Sequence, residues 1–441
     1  MTARHSLRLG FVASRLGGID GVSLEVGVWA RAALALGHEV CFFAGRLESP
    51  LERARTVPMA FFGHPDVIRL NAIVFDPAPE DSGPERIRQG RREIVATSSR
   101  LKDELYRFVR DWRLELLVAE NTLALPMHVP LGLALTDLAA ETRLAVIAHH
   151  HDLPWERQRY AVSTMPDIVE RAFPPRLPNI YQVCINSQQQ RELERRLHRP
   201  VRLIPNVVDF ADEPAAEPRQ LRRLREDLGV HADELLVLQP TRAVPRKGIE
   251  LALELVRRLG RPAKLVIIGS GSDEDGAYVE HLKELARLLG VDVVWAGERV
   301  APEGRTAPNG RPLYAIDELF AAADLVTYPS LIEGFGRAFL AAVRHRRPLV
   351  VNRYPVYDTD LRPHGFRAVE MRGFVSEETV AQTRRLLDDR SRRETWAAHN
   401  YELARRLFSV ESLIETLRDV LAEAVDWRRE RTRTMAVTRP S

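Results

Sequence analysis

Short apolar runs alternate with amphipathic stretches along most of the chain. In the first half the runs lie at residues 7–13, 39–43, 114–119, 144–148 and 179–185. In the second half they lie at residues 235–238, 264–268, 291–295, 325–328 and 348–352. Buried strands that alternate with helices are typical of doubly wound parallel sheets. The pattern therefore predicts an α/β protein with two Rossmann-like domains.

A polar, proline-rich stretch at 211–218 is the best candidate for a linker between these domains. It predicts an N-terminal domain over 5–210 and a C-terminal domain over 211–400. Residues 377–407 and 412–424 have helical spacing, and we expect a final helix over 401–427. Residues 428–441 are basic and have no long apolar pattern, and we expect a disordered tail.

Composition narrows the class of protein. Hydrophobic residues make up 45% of the 441 positions and charged residues 28%, as in soluble globular proteins. The net charge of +3 gives no sign of a nucleic-acid partner. Cys41 and Cys184 lie inside apolar runs, which indicates buried thiols in a reducing compartment. With no signal peptide or transmembrane segment expected, we predict a cytoplasmic protein, while peripheral membrane contact by a basic helix stays open.

The sequence Glu333-Gly334-Phe335-Gly336 follows an apolar run and precedes a helical pattern. Glycines at a helix N-terminus let a ligand approach the backbone, and the exposed N–H groups favour an anion such as phosphate. Glu333 would repel a bare phosphate, so we expect it to accept hydrogen bonds from a hydroxylated group beside one. A nucleotide sugar has both features. The alternative is a tight turn with a capping carboxylate.

Two more loops carry candidate phosphate contacts at strand ends. Arg242 and Lys247 follow one strand, and two fixed cations there would neutralise a leaving diphosphate. Gly17 and Gly18 follow the first strand and could bring backbone N–H groups near a phosphate. They do not form the dinucleotide-binding fingerprint. Surface cations and a tight turn are the alternatives.

Polar residues also end two central strands of the first domain, at Glu120-Asn121 and at His149-His150-His151-Asp152. Ligand groups collect where parallel strands end. Three adjacent histidines are poor metal ligands as a set, because neighbours on an extended chain point to opposite faces. We therefore predict one histidine facing a substrate and no metal site. The alternative is that these histidines fill a loop or cap a helix. The acidic run at 273–275 is interpreted as a solvated loop.

Together these motifs resemble the retaining, nucleotide-sugar-dependent glycosyltransferases of family 4, which have the GT-B fold. The resemblance covers residues 5 to 425. The matching positions are Gly17-Gly18, His151-Asp152, Ile204 to Asp209, Arg242 with Lys247, Gly269-Ser270-Gly271, and Glu333 to Gly336.

The resemblance implies two Rossmann-like domains facing across a cleft, with the last helix returning to the N-terminal domain. It implies that Arg242 and Lys247 hold the diphosphate, that Glu333 binds the donor sugar and that His151 lies beside it. The donor-binding set is Gly17, Gly18, Gly269, Arg299, Gly334, Phe335 and Gly336. Such enzymes transfer a hexose with retention, and they need no metal or other cofactor.

One position departs from the family pattern. Ala341 stands where these enzymes usually have a second glutamate that bonds the nucleotide ribose. We expect weaker or rearranged nucleotide binding and intact chemistry. Two alternatives stay open: a nucleotide-sugar epimerase of the same fold, and a non-catalytic nucleotide-sugar-binding module.

The expected donor is GDP-mannose or UDP-glucose. The expected acceptor is a small hydroxylated molecule: a glycerate-type glycoside, a sugar or a sugar phosphate. The acceptor-binding set is Glu120, Asn121, His150, Asp152 and Arg157. The segments around Glu120 and around His149 to Glu156 are similar to mannosylglucosylglycerate-type synthases, and Arg157 would suit an acidic acceptor. Alternatively, Arg157 and its neighbour Arg159 bond acidic residues on a helix face.

Overall fold

The computed structural model describes residues 6–18, 20–77, 83–211, 217–269, 276–301, 305–306 and 312–437. The chain forms two compact units. One comprises residues up to Pro205 together with those from Glu411 onward, and the other comprises Asn206–Val410. Several segments that the sequence singled out lie outside the described residues: Ser270 and Gly271, the acidic run at 273–275, most of the 211–218 stretch, and the last four residues.

The N-terminal unit contains a seven-stranded parallel sheet in the order β3-β2-β1-β4-β5-β6-β7. Its strands are β1 (Arg8–Leu16), β2 (Glu39–Leu47), β3 (Ala54–Thr56), β4 (Leu116–Glu120), β5 (Ala145–His150), β6 (Ile180–Cys184) and β7 (Arg202–Leu203). Its helices are α1 (Gly21–Ala35), α2 (Pro65–Phe75), α3 (Pro84–Asp111), α4 (Val129–Thr142), α5 (Pro166–Ala172) and α6 (Ser187–Leu197). The final helix, α14 (Val410–Val437), belongs to this unit from Glu411.

The central strands are apolar on both faces because helices cover both sides of a parallel sheet. Every residue of β4 and β5 is buried. A core of Phe43, Phe108, Leu117, Leu135 and Val146 packs one side of the sheet. The register of β4 on β5 pairs Glu120 with His149. This pairing brings the polar ends of the two strands together.

His128 anchors the start of α4 as a neutral imidazole. Its Nδ1 accepts the backbone N–H of Leu131 at 3.1 Å, and its Nε2 donates to the Met59 carbonyl at 2.8 Å. Burial lowers the pKa of His128 from 6.5 to about 4. A group with a depressed basic pKa stabilises the fold above its unfolded pKa, and that stability is lost as the pH falls through the folded value.

We predict that His128→Asn flattens the acid dependence of stability. Asparagine keeps an acceptor for the Leu131 N–H but does not titrate in this range. Between pH 7 and pH 4, the free energy of unfolding of the wild type should fall by about 3 kcal/mol more than that of the variant. Urea unfolding at both pH values measures the difference. An equal fall in the free energy of unfolding for the wild type and the variant would contradict the low pKa of His128.

The C-terminal unit contains a six-stranded parallel sheet in the order β10-β9-β8-β14-β15-β16. Its strands are β8 (Leu235–Gln239), β9 (Ala263–Ile267), β10 (Asp292–Trp295), β14 (Leu325–Tyr328), β15 (Leu349–Asn352) and β16 (Val369–Met371). A small sheet holds β11 (Val300–Ala301), β12 (Arg305–Thr306) and β13 (Pro312–Ala315). The helices are α7 (Pro218–Asp227), α8 (Ile249–Leu259), α9 (Gly276–Leu289), α10 (Ile316–Ala322), α11 (Arg337–Arg344), α12 (Glu377–Asp388) and α13 (Arg390–Leu407).

The strand order of this second sheet decides which loops can meet. β8 and β14 are neighbours, with Val237 opposite Leu325 and Leu238 opposite Val326. They are far apart in sequence, but parallel strands end at the same edge of the sheet. The loops that follow β8 and β14 therefore lie side by side.

The predicted α/β class and the two parallel sheets are confirmed. Both cysteines are buried and reduced. The sequence analysis missed short elements such as β3, β16 and α7, and the last of these starts at the proline assigned to the linker. Proline suits the first turn of a helix, where no N–H is needed.

Two expectations about the C-terminal helices were wrong. The single helical stretch expected over 377–407 is interrupted at Asp389, whose extended backbone ends α12 and whose side chain caps α13. The tail expected to be disordered from 428 is helical as far as Val437. Arginine and glutamate are good helix formers, so a polar sequence can extend a helix. No helix in the described part of the chain is long and apolar enough to cross a membrane.

Candidate functional site

The loop after β8 ends in a tight 3-10 turn, Pro245–Lys247, closed by Gly248. Gly248 has φ +58°, and a Cβ built there would lie 2.6 Å from the carbonyl oxygen of Pro329. Only a residue without a side chain fits so close to a neighbouring backbone. Gly248 thus allows the β8 loop to pack directly against the β14 loop.

The two loops are joined by a buried ion pair. Lys247 Nζ donates to Glu333 Oε1, and the two side chains are only 10% and 9% exposed. Arg246 Nη1 lies 3.6 Å from Glu333 Oε2. The backbone N–H of Leu331 donates to the Arg246 carbonyl at 2.9 Å. The structure therefore brings the predicted residues Lys247 and Glu333 into contact and adds Arg246, which the sequence analysis missed.

Both members of this pair have shifted pKa values. Burial lowers the pKa of Lys247, although the charge of Glu333 opposes this, and Arg242 contributes to the lowering. Burial would raise the pKa of Glu333, but the charges of Lys247 and Arg246 outweigh it and hold that pKa below its ordinary value. Glu333 is therefore a carboxylate at neutral pH, with cations around it.

The backbone at the start of α11 packs closely against Tyr354. Gly336 has φ +151°, and a Cβ there would lie 2.6 Å from the Tyr354 hydroxyl oxygen. The Tyr354 hydroxyl donates to the Phe335 carbonyl at 2.7 Å. Gly334 is partly exposed beside Glu333, whereas Phe335 is buried. The Phe335-Gly336 backbone is held in place immediately before the first turn of α11.

Gly269 follows β9 and supports Arg242, which is exposed on the β8 loop. A Cβ on Gly269 would lie 2.2 Å from Arg242 Cα and 2.5 Å from the Thr241 carbonyl oxygen. Backbone atoms at that distance cannot yield without moving the loop. Gly269 therefore sets the position of the Arg242 loop, and its role in the donor site stays a prediction.

We predict that Gly269→Ala displaces this loop and destabilises the chain by about 1–3 kcal/mol. Gly276→Ala is the matched control, because no atom of the described residues lies within 4 Å of a Cβ at Gly276. Thermal unfolding of the two variants measures the effect. An unchanged melting temperature for Gly269→Ala would show that the Arg242 loop accommodates the added Cβ, against this prediction.

Two further donor-side positions were assigned from the sequence. The Arg299 guanidinium donates to the Asp227 carbonyl, and the Tyr314 hydroxyl bonds the Asp227 carboxylate. Arg299 is therefore engaged with the end of α7, so its predicted contact with the donor would require it to leave that contact. Ala341 lies partly buried on α11.

In the N-terminal unit, the ends of β4 and β5 form a buried cluster of three ionisable side chains. Glu120 Oε2 lies 2.9 Å from His149 Nδ1 and 3.2 Å from His151 Nε2. Burial would raise the pKa of Glu120, but the two histidines lower it to about 2. The carboxylate raises the pKa of His151 even though burial acts in the opposite direction. Glu120 is thus the shared partner of both rings.

The acceptor contacts predicted for Glu120 and His150 need correction. Glu120 is 1% exposed and His150 is 0% exposed. His150 points to the other face of the strand from its two neighbours, and its Nε2 bonds the Gln182 side chain. His151, at 8% exposure, reaches the surface more than either residue. Alternation along β5 is the physical reason, since adjacent side chains face opposite ways.

The other acceptor-side residues lie at the turn after β5. Asn121 has φ +56°, and its Oδ1 accepts the backbone N–H groups of His151 at 3.1 Å and Asp152 at 3.4 Å. Asp152 forms an ion pair with Arg157. Asn121 therefore shapes the turn, and the charge of Arg157 is already balanced by a carboxylate.

Gly17 and Gly18 lie against the end of β2. Gly17 has φ +79°, and its carbonyl accepts from the Ser49 hydroxyl at 2.9 Å. A Cβ on Gly18 would lie 2.3 Å from Glu48 Oε2. Arg15 lies 3.5 Å from that same Glu48 carboxylate. The glycine loop is thus close-packed and has charges of both signs around it.

Among the described residues, one group could hold a metal ion. The ligand atoms of Glu120, His149 and His151 all lie within 4.8 Å of one another. The sequence argument against metal binding holds for adjacent histidines, but His149 and His151 are two residues apart and share a face. The spacing of the two histidines could have indicated this group, whereas the contribution of Glu120 requires the register of β4 on β5.

Comparison with known proteins indicates the family of this chain. Residues 222–403 match the family model described as Glycosyl transferases group 1. The mannosylglucosylglycerate synthase of Thermotoga maritima is 30% identical, over 94% of this chain and 100% of that protein. The mannosylglucosylglycerate synthase of Petrotoga mobilis is 27% identical, over 83% of this chain and 86% of that protein.

Solved structures agree on the fold. The Anabaena protein HepE, in complex with UDP and glucose, superposes with a TM-score of 0.66 at 16% identity, over 95% of this chain and all of that one. A sucrose-phosphate synthase from Thermosynechococcus elongatus gives a TM-score of 0.65 at 16% identity, over 95% and 99%. Because the similarity to the Thermotoga enzyme is 30% and spans both chains almost completely, this chain belongs to the glycosyl transferases group 1 family and is a GT-B glycosyltransferase.

Proposed function

We propose that this glycosyltransferase moves a mannosyl group, with retention, from GDP-mannose to a glucosylglycerate-type acceptor. UDP-glucose is the second candidate donor, and a sugar or a sugar phosphate is the second candidate acceptor. The observation that carries the proposal is the buried Lys247–Glu333 pair beside the N-terminus of α11. The choice of sugar and acceptor rests on similarity to two mannosylglucosylglycerate synthases.

The C-terminal unit supports donor binding through opposite charges held side by side. Lys247, Arg246 and Arg242 offer positive charge for a diphosphate, and Glu333 offers an acceptor for sugar hydroxyls. Phosphate oxygens would also find the N–H groups at Phe335 and Gly336, where the start of α11 favours an anion. A nucleotide diphosphate sugar satisfies both halves of this arrangement, whereas a bare phosphate would meet Glu333 unfavourably.

The proposed reaction needs no carboxylate nucleophile. The bond from the anomeric carbon to the diphosphate breaks, and a bond from the acceptor hydroxyl oxygen forms on the same face of the sugar. The acceptor proton passes to the departing diphosphate oxygen. Cations fixed beside the diphosphate stabilise the charge that develops on it, so the diphosphate itself requires no metal ion.

For the acceptor we propose the turn after β5 in the N-terminal unit. Asp152 can accept hydrogen bonds from acceptor hydroxyls, and Arg157 can exchange its pairing with Asp152 for an acceptor carboxylate. The proposed role of His151 is to act as an imidazolium: its Nε2 donates to Glu120, and its Nδ1 donates to the reacting molecules. We also propose that Gly17 and Gly18 contact the diphosphate and that Arg299 contacts the nucleotide.

The test is a matrix of donors and acceptors. Purified enzyme is incubated with GDP-mannose or UDP-glucose and with glucosylglycerate, glycerate, glucose or glucose 6-phosphate. We expect transfer from GDP-mannose to glucosylglycerate. The one-bond NMR coupling between the anomeric carbon and its proton should show the same anomeric configuration in the product as in the donor. Transfer only to the neutral sugar, or inversion, would refute this assignment.

The same experiment covers the epimerase alternative. An epimerase would convert the nucleotide sugar when no acceptor is present, and a transferase would leave it intact apart from slow hydrolysis. If the nucleotide sugar binds tightly but is converted under none of these conditions, the result favours the non-catalytic alternative.

A further inference from the structure

The geometry points to a binding site for a divalent transition-metal ion, which we propose is formed by Glu120, His149 and His151 in the N-terminal unit. It lies on a different unit from the Lys247–Glu333 pair. Two imidazoles and one carboxylate are ligands that Zn2+ accepts readily, and a three-ligand set leaves an open position.

The distances between the ligand atoms suit such an ion. Glu120 Oε2 lies 2.9 Å from His149 Nδ1 and 3.2 Å from His151 Nε2, and all the ligand atoms fall within 4.8 Å. Tetrahedral Zn2+ with bonds of about 2.0–2.1 Å holds its ligand atoms about 3.3 Å apart. Small side-chain adjustments would suffice to admit the ion.

Backbone geometry prepares the three ligands in advance. His149 and His151 are two residues apart, so their side chains share one face of the extended chain. Glu120 is the register partner of His149 on the neighbouring strand. The backbone N–H of His151 is fixed by Asn121 Oδ1 at 3.1 Å. A site whose ligands are held by two paired strands and a capped turn loses little entropy on binding an ion.

The buried charges of the cluster favour a cation. Glu120 and Glu25 are 1% and 0% exposed. Glu25 accepts from Trp29 Nε1 at 3.1 Å, and the Trp29 ring packs 4.3 Å from the His149 ring. A divalent ion would balance the negative charge of the buried Glu120 carboxylate.

One further atom points to a ligand. Glu120 Oε1 is buried and has no hydrogen-bond partner in the described part of the chain. Buried carboxylate oxygens are normally satisfied, and the cost of leaving one unpaired is about 1–3 kcal/mol. Coordination of a metal ion through both carboxylate oxygens would satisfy it, since Oε2 is the oxygen that faces the two imidazoles. The rival occupant of the cluster is a proton on His151, which would balance charge but leave Oε1 unpaired.

An ion at this position would do two things. It would fix the ring of His151 through Nε2, leaving Nδ1 to face other groups. Its open coordination position would take water or an oxygen ligand such as a carboxylate or a pair of hydroxyls. The ligand expected at the open position is therefore a molecule that coordinates through oxygen, whichever sugar donor the enzyme uses.

Tag-free enzyme, stripped with a chelator and dialysed, is titrated with Co2+ and followed by visible absorption, then with Zn2+ by calorimetry. We expect one ion per chain and the intense absorption bands of tetrahedral Co2+. Glu120→Gln and His149→Ala should each weaken binding by at least about 100-fold, because each removes a ligand. His281→Ala is the control, since that histidine is exposed on α9 in the other unit.

Two results would overturn the proposal: octahedral Co2+ spectra, or full binding in both variants. If a variant fails to fold, X-ray absorption at the zinc edge of the wild type decides the matter. Two imidazole nitrogens and a carboxylate oxygen around the ion would support the site, and an oxygen-only shell would exclude it. Failure of metal binding would leave the proposed mannosyl transfer intact, because that activity is measured separately.

Discussion

Lys247→Met is expected to lower turnover by about 100- to 1,000-fold while the chain remains folded. Methionine matches lysine in length but carries no charge, so the variant removes one cation from the proposed diphosphate site. The lost charge matters most when the diphosphate departs, because the negative charge on it is then greatest. The loss should therefore appear in kcat with saturating donor as well as in kcat/KM.

The control for this variant is Lys283→Met. Lys283 lies on α9 of the same unit, is about half exposed and pairs with Glu280. It should keep wild-type turnover, and circular dichroism should show both variants folded. If Lys247→Met retained wild-type kcat, the diphosphate would have to be neutralised by other groups.

Glu333→Gln is the second change with a large expected effect, again about 100-fold or more in turnover. Glutamine is nearly the same size but accepts more weakly from sugar hydroxyls, and it removes the counter-charge of a buried lysine. The variant should also lose about 1–3 kcal/mol of stability, because Lys247 keeps its burial without its ionic partner.

Glu280→Gln serves as the matched control, because Glu280 is an exposed glutamate that pairs with a lysine in the same unit. Steady-state kinetics and urea unfolding are measured on both variants. A fall in stability without a fall in turnover would show that Glu333 is a structural partner of Lys247 and does not contact the donor.

The sequence predicted the sheet architecture well, because parallel strands buried on both faces give apolar runs that are easy to recognise. It also placed Lys247 and Glu333 in loops after strands. Their contact could not be derived, because it depends on β8 lying next to β14, and strand order is a tertiary property. Arg246 was missed for the same reason.

The prediction was less successful where side-chain direction decides the role. His150 and His151 are adjacent in sequence, but alternation along β5 buries the first against Gln182 and turns the second towards Glu120. The buried position of Glu120 follows from its pairing with His149, which no local pattern reveals. The ion pair of Arg157 with Asp152 is local, however, and its spacing of five residues could have suggested it.

Helix ends were the other weak point. The break at Asp389 depends on one residue whose extended backbone and capping carboxylate start a new helix. Helical spacing continues on either side of this residue, so the interruption leaves no trace in the hydrophobic pattern. The extension of α14 to Val437 was missed because a polar, charged segment can be helical or disordered, and composition does not separate the two cases.

The central claim is that Lys247 holds the diphosphate of the donor and Glu333 holds its sugar. Isothermal titration of GDP and of GDP-mannose into the wild type and the two variants tests it directly. Lys247→Met should weaken both ligands by similar factors, whereas Glu333→Gln should weaken GDP-mannose and leave GDP nearly unchanged. Equal losses for both ligands in both variants, or no loss in either, would contradict the account.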